Sequence, residues 1–526
     1  MKMNYDADVI IIGAGHNSLA AGIYLAKTGL KVLIYEKSSQ PGGAAKTAEI
    51  TRPGFKHDLF ATNIGLFLGS RLYRDFGPEL HRAGFEIAVA ERPFASVFPD
   101  GDAARIFKDA EKTMQEMERQ SAHDAQAWSS MVGYFNAVAP YLLPLLQIPV
   151  PSWKSSFHIW RIFRKLGREK AYELFSLLVK SAREFLDEWY ESDKVKALLA
   201  PWGFHMDFGS DMAGGATFSF LETVFDYSNG MALSKGGVGA LIDSMVKVFM
   251  KYGGRLLPGQ EVGEIVVHNG RAVGIKTAEG RAYCKKAVLA NVSPTLLVKS
   301  LLKECREVPS SYLQKAANFR HGPGTMMIHL ALDGPLKWQA GDDLSGFNYV
   351  HIGPYLEDIS ITYNQALNGR LPRNPFLVVG QQSAVDPTRA PAGRHTLWVQ
   401  VRALPDKPRV GRNRSPGDWD QMKEYYADLV MTKIGKYAPN IHEVTMDRVV
   451  FSPLDLAREN PNLVGGDSIG GSHHLDQNFV FRPVPGYAGY RTPIKGLFLT
   501  GASTWPGCGL NATSGYLAAQ EILKTK

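Results

Sequence analysis

The N-terminal segment constrains the fold more than any other part of the sequence, because its pattern specifies a strand, a glycine turn, a helix and a second strand. Residues 9–12 are a short β-branched run, which is typical of a buried parallel strand. The turn GAGHNS follows at 13–18, residues 19–28 have a helical pattern, and residues 30–35 form a second strand that ends at Glu36. A G-x-G-x-x-S turn in this setting, with an acid about 20 residues further on, predicts a dinucleotide-binding site.

The residues of this turn have separate roles. Gly13 makes the tight turn, and Gly15 lets the backbone approach a pyrophosphate. The helix that follows presents free N–H groups to the phosphate charge. Glu36 is placed to accept hydrogen bonds from a ribose diol. Ser18 stands where a third glycine allows close packing of helix and strand, and serine is nearly as small.

The residues that follow Glu36 favour FAD over NAD. A second glycine turn, within EKSSQPGGAA at 36–45, contains Gly43 and Ala44. The ribityl and flavin parts of FAD need backbone contact well beyond the first pyrophosphate loop, and this second turn supplies it. The alternative is an ordinary Pro-Gly loop.

The C-terminal segment repeats the order of strand, turn and helix. Residues 496–500 are a predicted strand, 501–509 a turn of small residues, and 511–523 a helix capped by Asn511 or Thr513. In a flavoprotein, such a helix N-terminus stabilises the negative charge that develops on the N1–C2=O edge of the reduced isoalloxazine. The alternative is a plain packing helix.

A third segment lies between the two ends of the chain. The glycine-rich stretch 234–239 precedes a predicted helix over 240–251. Alternating apolar residues then predict a strand meander over 259–291, with an Asn-Gly hairpin at 269–270. We expect this meander, which includes Val262, to cover the adenosine half of the cofactor.

Composition excludes several other classes of protein. The chain has 526 residues, and its 59 Lys and Arg against 51 Asp and Glu give a net charge of +8. No basic stripe is present, which argues against a nucleic-acid partner. The 3 cysteines rule out a disulfide scaffold and a Cys-rich metal site, and they fit a reducing compartment. With no signal peptide and no apolar run of about 18 residues, the expected location is cytoplasmic.

Together these segments resemble the phytoene-desaturase-like FAD oxidoreductases, and within them most closely the pyridine nucleotide-disulphide oxidoreductase domain protein 2 subgroup. The motifs that carry the resemblance are GAGHNSLAAGIYLAKTGLKVLIYEKSSQPGG at 13–43, GGVGALIDSM at 236–245, GRAVGIKTAEG at 270–280, ANVSP at 290–294 and the long block 465–519. The departures are Ser18 for glycine, and Trp505 and Cys508 where relatives usually carry His and Gly.

The resemblance implies an α/β fold with a discontinuous Rossmann-type FAD-binding domain, an inserted α+β substrate domain and a helical cap. We expect the FAD-binding domain at 1–75, 228–298 and 485–526, the mainly helical substrate or cap region at 76–227, and the substrate-binding α+β region at 299–484. The expected cofactor is FAD. The residues expected to bind it are Gly13, Ala14, Gly15, Asn17, Ser18, Glu36, Lys37, Gly43, Ala44, Val262, Gly501, Asn511 and Ala512.

Beside the flavin ring we expect Trp505, Asn511 and Tyr516 as catalytic residues, none of which is an evident base. His205 is a candidate acid or base, against the alternative of a structural histidine. His473 and His474 are adjacent, so their side chains diverge, and the sequence predicts no metal site.

The resemblance also implies the reaction. A hydride and a proton would leave a C–C bond of an apolar, isoprenoid or cyclic small molecule, so that a C=C bond forms. The alternatives are a flavin amine or alcohol oxidase that produces peroxide, a redox-neutral isomerase or saturase, and a flavin-binding interaction protein without turnover. The oligomeric state is left open.

Residues 153–168 mix aromatic and basic side chains. This pattern fits an interfacial helix on an anionic membrane, which would help to extract a lipid-soluble substrate. It also fits an amphipathic helix packed on its own domain, which is the interpretation that we favour here. Peripheral membrane contact is therefore the alternative.

Overall fold

A computed structural model describes residues 5–410 and 415–525, which form two seven-stranded sheets, three two-stranded sheets and a block of helices. The strands, in chain order, are β1 (Ala7–Ile12), β2 (Val32–Tyr35), β3 (Thr47–Ala48), β4 (His57–Asp58), β5 (Ile87–Ala90), β6 (Phe94–Val97), β7 (Ala103–Ile106), β8 (Met231–Ser234), β9 (Arg255–Leu257), β10 (Val262–His268), β11 (Arg271–Thr277), β12 (Gly280–Ala290), β13 (Gly324–Leu332), β14 (Tyr349–Ile352), β15 (Leu377–Gly380), β16 (His395–Leu404), β17 (Arg409–Val410), β18 (Ser415–Pro416), β19 (Thr445–Phe451) and β20 (Leu497–Leu499).

The α-helices are, in chain order, α1 (His16–Lys27), α2 (Gly65–Leu68), α3 (Arg71–Arg82), α4 (Ala110–Gln120), α5 (Ala122–Leu142), α6 (Trp153–Leu166), α7 (Arg168–Val179), α8 (Ala182–Trp189), α9 (Asp193–Leu199), α10 (Pro201–His205), α11 (Gly215–Asn229), α12 (Val238–Lys251), α13 (Pro294–Leu296), α14 (Ser310–Ala317), α15 (Leu356–Leu367), α16 (Gln382–Val385), α17 (Trp419–Gly435), α18 (Ile441–Val444), α19 (Pro453–Glu459) and α20 (Thr513–Lys524). Within the described ranges, no helix is long and apolar enough to cross a membrane.

The first sheet joins strands from both ends and the middle of the chain. Its order is β10-β11-β12-β1-β2-β9, with β20 paired to β12. The pairs of β1 with β2 and β12, of β2 with β9 and of β12 with β20 are parallel. Helices α1, α12 and α20 pack on one face, whereas the segment around α13 and α14 packs on the other. Since both faces are covered, residues 9–12 of β1 form a continuous apolar run rather than an alternating one.

The meander in this sheet follows its sequence pattern. Strands β10 and β11 pair antiparallel around Asn269 and Gly270, which both have positive φ, at 52° and 69°. Asparagine and glycine tolerate this backbone conformation better than other residues, so the Asn-Gly pair permits the tight turn. The predicted hairpin is therefore confirmed.

The second sheet has the order β19-β13-β16-β15-β14-β6-β7, and its pairs are antiparallel except for β14 with β6. One face packs on α17, and the other faces the helical block and the first sheet. Strands β6 and β7 come from the region expected to be mainly helical. A Pro-Asp-Gly turn at 99–101 joins them, and Gly101 has a φ of 79°, so this part forms a hairpin while helices occupy most of 110–229.

Candidate active site

A cavity of about 410 Å³ lies between the two sheets. At one end its wall is the glycine turn after β1, with Gly13 and Gly15. At the other end its wall is the face of the second sheet that carries Tyr349, Trp398 and Arg402. A cofactor held at the glycine turn can therefore extend toward a separate chamber under the second sheet.

The glycine turn leaves room and donors for an anion. Gly13 has a φ of 84°, and its N–H donates to the Tyr35 carbonyl at 2.7 Å, which closes the turn. Gly15 is the N-cap of α1 and supplies no side-chain cap, so the first-turn N–H groups stay free of side-chain acceptors. A Cβ on Gly15 would lie 3.0 Å from Asn291 Nδ2. The turn thus forms a cradle of the kind that a pyrophosphate occupies.

The Glu36 side chain is held firmly in the cavity wall. One carboxylate oxygen accepts from the N–H of Ala14 at 2.7 Å, and the other accepts from the N–H of Ser38 at 2.8 Å. The side chain is only 7% exposed. Each oxygen keeps a further lone pair, which suits the two hydroxyls of a ribose.

The second glycine turn lies directly against the first. The N–H of Gly42 donates to the Ala14 carbonyl at 3.0 Å, and the Cα of Gly15 lies 3.5 Å from the Cβ position of Gly43. Gly42 and Gly43 have φ values of 122° and 62°. A side chain at Gly42 would collide with the Ala45 carbonyl at 2.3 Å, so this approach requires glycine.

The C-terminal turn reaches the same place. Gly501 has a φ of 109°, and a Cβ there would lie 2.2 Å from Asn291 Oδ1. The first N–H groups of α20 are occupied by side chains: Thr513 donates to Asn511 Oδ1 at 2.9 Å, and Gly515 donates to Asn17 Oδ1 at 3.1 Å. The N-cap residue of α20 is Ala512 rather than the predicted Asn511 or Thr513, and Asn511 accepts from the first N–H of the helix from one position earlier. These two contacts occupy N–H groups at the N-terminus of α20. From the sequence, we expected that N-terminus to stabilise negative charge on the flavin.

Most of the residues expected to bind the cofactor line this one cavity. Those in its wall are Gly13, Gly15, Asn17, Glu36, Lys37, Gly43, Ala44, Val262 and Gly501. Ala14, Ser18, Asn511 and Ala512 lie behind the wall, where they are buried. Their contacts are internal: the Ser18 hydroxyl, for example, accepts from Asn291 Nδ2 at 2.9 Å.

The expected catalytic residues do not all lie at the cavity. His205 lines the cavity, and burial lowers its pKa well below the usual value, so it is neutral near pH 7. Trp505 and Tyr516 are not in the wall. The Trp505 indole donates to the Ile148 carbonyl at 3.0 Å, and the Tyr516 ring packs 4.9 Å from the Tyr24 ring.

Cys508 and His473 lie close together beside the cavity. Cys508 lines the cavity, but burial raises the pKa of its thiol to about 12, so it is not a thiolate near pH 7. His473 Nε2 lies 3.2 Å from the Cys508 N–H, which donates to it. In residues 5–410 and 415–525, no three His, Cys, Asp or Glu side chains are grouped so that they could hold a metal ion.

Sequence reasoning missed the chamber under the second sheet. Trp398, Gln400 and Arg402 alternate along β16 and all point into the cavity, beside Met327 of β13 and Tyr349 of β14. The alternation is visible in the sequence HTLWVQVRAL. Which of its two faces would meet the cofactor depends on distant strands, so the sequence alone could not select it.

A pair of carboxyl groups, in which Asp226 is fully buried and Glu222 is partly buried, was also missed. Glu222 and Asp226 are one turn apart on α11 and therefore share a helix face. Burial raises the pKa of Glu222 to about 7. Burial, and then the nearby Glu222 carboxyl, raise the pKa of Asp226 well above its usual value. The pair thus holds at least one proton near pH 7.

The fold and this cavity define a flavin-dependent oxidoreductase. The two glycine turns and the fixed Glu36 fit the pyrophosphate and ribose of FAD, and the cavity continues from these turns to the face of the second sheet. Residues 19–401 match the model of the flavin-containing amine oxidoreductases, and the chain belongs to this family.

Similar proteins agree with this family. The chain is 27% identical to pyridine nucleotide-disulfide oxidoreductase domain-containing protein 2 of Rattus norvegicus, over 100% of this chain and 94% of the relative. It is 26% identical to a phytoene desaturase (neurosporene-forming) of Rhodobacter capsulatus, over 98% of this chain and 93% of the relative. A solved oxidoreductase from Methanosarcina mazei has a TM-score of 0.59 at 16% identity, covering 98% of this chain and 100% of that chain. The predicted fold class, family and FAD cofactor are confirmed.

Proposed function

We propose that this FAD-dependent oxidoreductase is a desaturase or dehydrogenase, which removes a hydride and a proton from a C–C bond of an apolar isoprenoid or cyclic molecule. The observation that carries the proposal is the apolar part of the chamber. The rings of Tyr349 and Trp398 are stacked 5.7 Å apart, with Met327 beside them, on the sheet face opposite the glycine turn. A hydrocarbon that rests on these side chains would lie between them and a flavin.

The residues of the chain would hold the substrate in position and keep water out of the site, and none of them would act as a strong base. FAD, when bound, accepts the hydride. The aromatic side chains hold the substrate and exclude water, which strengthens every polar interaction in the site. His205 is neutral and lies in the wall, so we assign it to hydrogen bonding with substrate or cofactor rather than to permanent charge.

We also propose how the chain is divided. Residues 1–75, 228–298 and 485–526 would form the FAD-binding domain, because the strands of the first sheet come from these three segments. Residues 76–227 and 299–484 would hold the substrate. Trp505, Asn511 and Tyr516 would position the C-terminal turn, since their contacts support that turn and α20.

Anaerobic photometry of the FAD-loaded protein tests the reaction. We expect a polyene or a cyclic ketone to bleach the flavin and to yield a product that is two hydrogen atoms lighter. Trp398→Leu should weaken this bleaching while FAD stays bound, whereas Trp189→Leu, at the edge of the helical block, should not. Bleaching by amines with release of peroxide would instead establish an amine oxidase. A flavin that dithionite reduces but no candidate does would support a binding protein without turnover.

We further propose that α6 and α7 rest on a membrane. The apolar side chains of Trp153, Phe157, Trp160, Tyr172 and Phe175 are all at least half exposed, and Trp153 reaches 85%. Residues 153–180 also contain seven Lys and Arg against two Glu. Exposed aromatic side chains among bases are the pattern of a helix that lies on an anionic bilayer. The exposure supports this over the packed helix that the sequence favoured.

Sedimentation with lipid vesicles tests the membrane contact. We expect the protein to bind phosphatidylcholine vesicles only when they contain phosphatidylglycerol, and the triple change Trp153→Ser, Phe157→Ser and Trp160→Ser should abolish binding. Tyr425→Ser, in an exposed aromatic residue of α17, is the matched control. A wild-type protein that stays in the supernatant, or that self-associates through these helices, would contradict the proposal.

A further inference from the structure

Arg402 is a buried cation in the cavity wall. Its side chain lies on β16, and the residue is 8% exposed. The guanidinium donates to Gln400 Oε1 at 3.1 Å, to Ser468 Oγ at 3.4 Å, and to the carbonyls of Phe204 and His205. All of these acceptors are neutral. A buried charge is costly unless an opposite charge compensates it, so the wall contains a positive charge that is not balanced by direct contact.

Two other buried arginines have partners of a different kind, which compensate the cost of burying their positive charge. Arg389 pairs with the carboxylates of Asp58 at 2.8 Å and Asp386 at 3.0 Å. Arg482 donates to four backbone carbonyls of the C-terminal region and lies outside the cavity wall. Arg402 therefore differs from both, because it faces the cavity and has no carboxylate partner.

The two carboxylates whose charges act on Arg402, Asp207 and Asp467, already have hydrogen-bond partners of their own. Asp207 accepts from the Tyr363 hydroxyl at 2.9 Å and pairs with His474 at 3.3 Å. Asp467 accepts from the N–H groups of Gly471 at 2.6 Å and Ile469 at 2.9 Å. Burial lowers the pKa of Arg402 to about 10, so the guanidinium is still charged near pH 7. An incoming anion would meet this charge without competing with a bonded carboxylate.

The same wall contains other polar atoms that need a partner. Thr62 Oγ1, His205 Nε2 and Trp398 Nε1 are buried and have no hydrogen-bond partner among the described residues. A pure hydrocarbon would leave these groups unpaired, which costs about 1–3 kcal/mol for each such group in general. A ligand with hydrogen-bonding oxygens fits this end of the chamber better.

We propose that Arg402 and Gln400 bind the carboxylate of an otherwise apolar substrate, whose hydrocarbon part lies along Met327, Tyr349 and Trp398. The planar guanidinium matches the two oxygens of a carboxylate, and the Gln400 amide supplies a further donor. Because the three polar and aromatic positions 398, 400 and 402 alternate on one strand, the apolar and anionic subsites are neighbours on one surface. This assignment rests on the proposed function in taking the cavity as the place where substrate meets flavin.

Binding of matched probes to the FAD-loaded protein tests the assignment. We use decanoate and decanol, which share a chain and differ in the charged head, and follow the absorption of the bound flavin together with the heat of binding. The wild type should bind decanoate more tightly than decanol. Arg402→Gln should weaken decanoate binding by about 10- to 100-fold and leave decanol binding unchanged.

Two further variants keep the test decisive. Arg402→Lys keeps the charge but not the planar fork, so it should fold and lose only part of the affinity for decanoate. Arg458→Gln removes an exposed arginine of α19 and should bind both probes like the wild type. Equal binding of the two probes by the wild type would overturn the proposal. So would loss of FAD from Arg402→Gln, because Arg402 would then hold the cofactor. A protein that binds decanoate through Arg402 but is never reduced would refute only the proposed reaction.

Discussion

The backbone N–H of Ala14 donates a 2.7 Å hydrogen bond to the Glu36 carboxylate, which ties the glycine turn to the end of β2. The N–H of Ser38 holds the other oxygen at 2.8 Å. Since both donors belong to the backbone, the carboxylate keeps one orientation in the cavity wall. The acid thus organises the turn and also offers lone pairs to a ribose.

Glu36→Ala should weaken FAD binding by about 10- to 100-fold, because hydrogen bonds to a charged group contribute about 1.5–3 kcal/mol. Titration of the FAD-free protein with FAD, followed by flavin fluorescence, measures the change. Glu264→Gln, on the same sheet and 40% exposed at its side chain, is the control. An equal loss in both variants would show that the effect does not come from the ribose contact.

The sequence predicted this end of the site because the contacts are local. The glycine turn, α1 and β2 follow one another in the chain. The roles of Gly13, Gly15 and Glu36 therefore follow from the residue type and its position in this short segment. By contrast, the Asn17 side chain caps α20 across 498 residues of sequence, and no local pattern reveals that contact. The chamber under the second sheet could not be predicted for the same reason. Tyr349 and Arg402 are brought together by the pairing of strands that are distant in sequence, and not by residues next to them in the chain.

The exposure of α6 could not be predicted either. An amphipathic helix that packs on its own domain and one that lies on a membrane have the same periodicity. The exposure of Trp153 and Trp160 on the outside of the helical block, which supports our proposal of a membrane contact, is a property of the fold and not of this periodicity.

Ser18, which replaces the expected third glycine, has a role of its own. Its hydroxyl accepts from Asn291 Nδ2 at 2.9 Å and so joins α1 to the loop after β12. Ser18→Gly should lower the free energy of unfolding by about 1–2 kcal/mol, from the lost hydrogen bond and the higher backbone entropy of glycine. Urea unfolding measures this loss. A double-mutant cycle with Ser18→Ala and Asn291→Ala should give a coupling of about 1 kcal/mol, and strict additivity would exclude a direct contribution of this bond.

The buried ion triad of Arg389, Asp58 and Asp386 joins β4 to the segment after α16. Removing the cation leaves two buried carboxylates without a positive charge beside them, although each still accepts other hydrogen bonds, so Arg389→Met should cost about 3–5 kcal/mol of stability. Thermal unfolding of the FAD-loaded protein gives the measurement. Arg458→Met breaks an exposed pair with Asp420 and should cost less than about 1 kcal/mol. Similar losses from the two changes would mean that the triad contributes no more than a surface pair.

The carboxyl pair of Glu222 and Asp226 makes stability depend on pH. Burial raises the pKa of Glu222 from 4.5 to about 7, so the folded protein retains a proton that the unfolded chain releases. The stabilisation is therefore complete below about pH 4.5 and is lost as the pH rises through about 7. A raised carboxyl pKa has the opposite effect to the usual ion-paired acid, which stabilises at high pH.

Glu222→Gln, which is neutral at every pH, should remove the part of this dependence that comes from Glu222, whereas the part that comes from the buried Asp226 remains. Between about pH 5 and pH 8 the wild-type free energy of unfolding should fall relative to that of Glu222→Gln, by on the order of 3 kcal/mol for a shift of this size. Melting temperatures of the FAD-loaded proteins across this range measure the difference. Glu173→Gln, an exposed acid on α7, should follow the wild type. Parallel pH profiles for the wild type and Glu222→Gln would mean that Glu222 already ionises at its ordinary pKa in the folded protein.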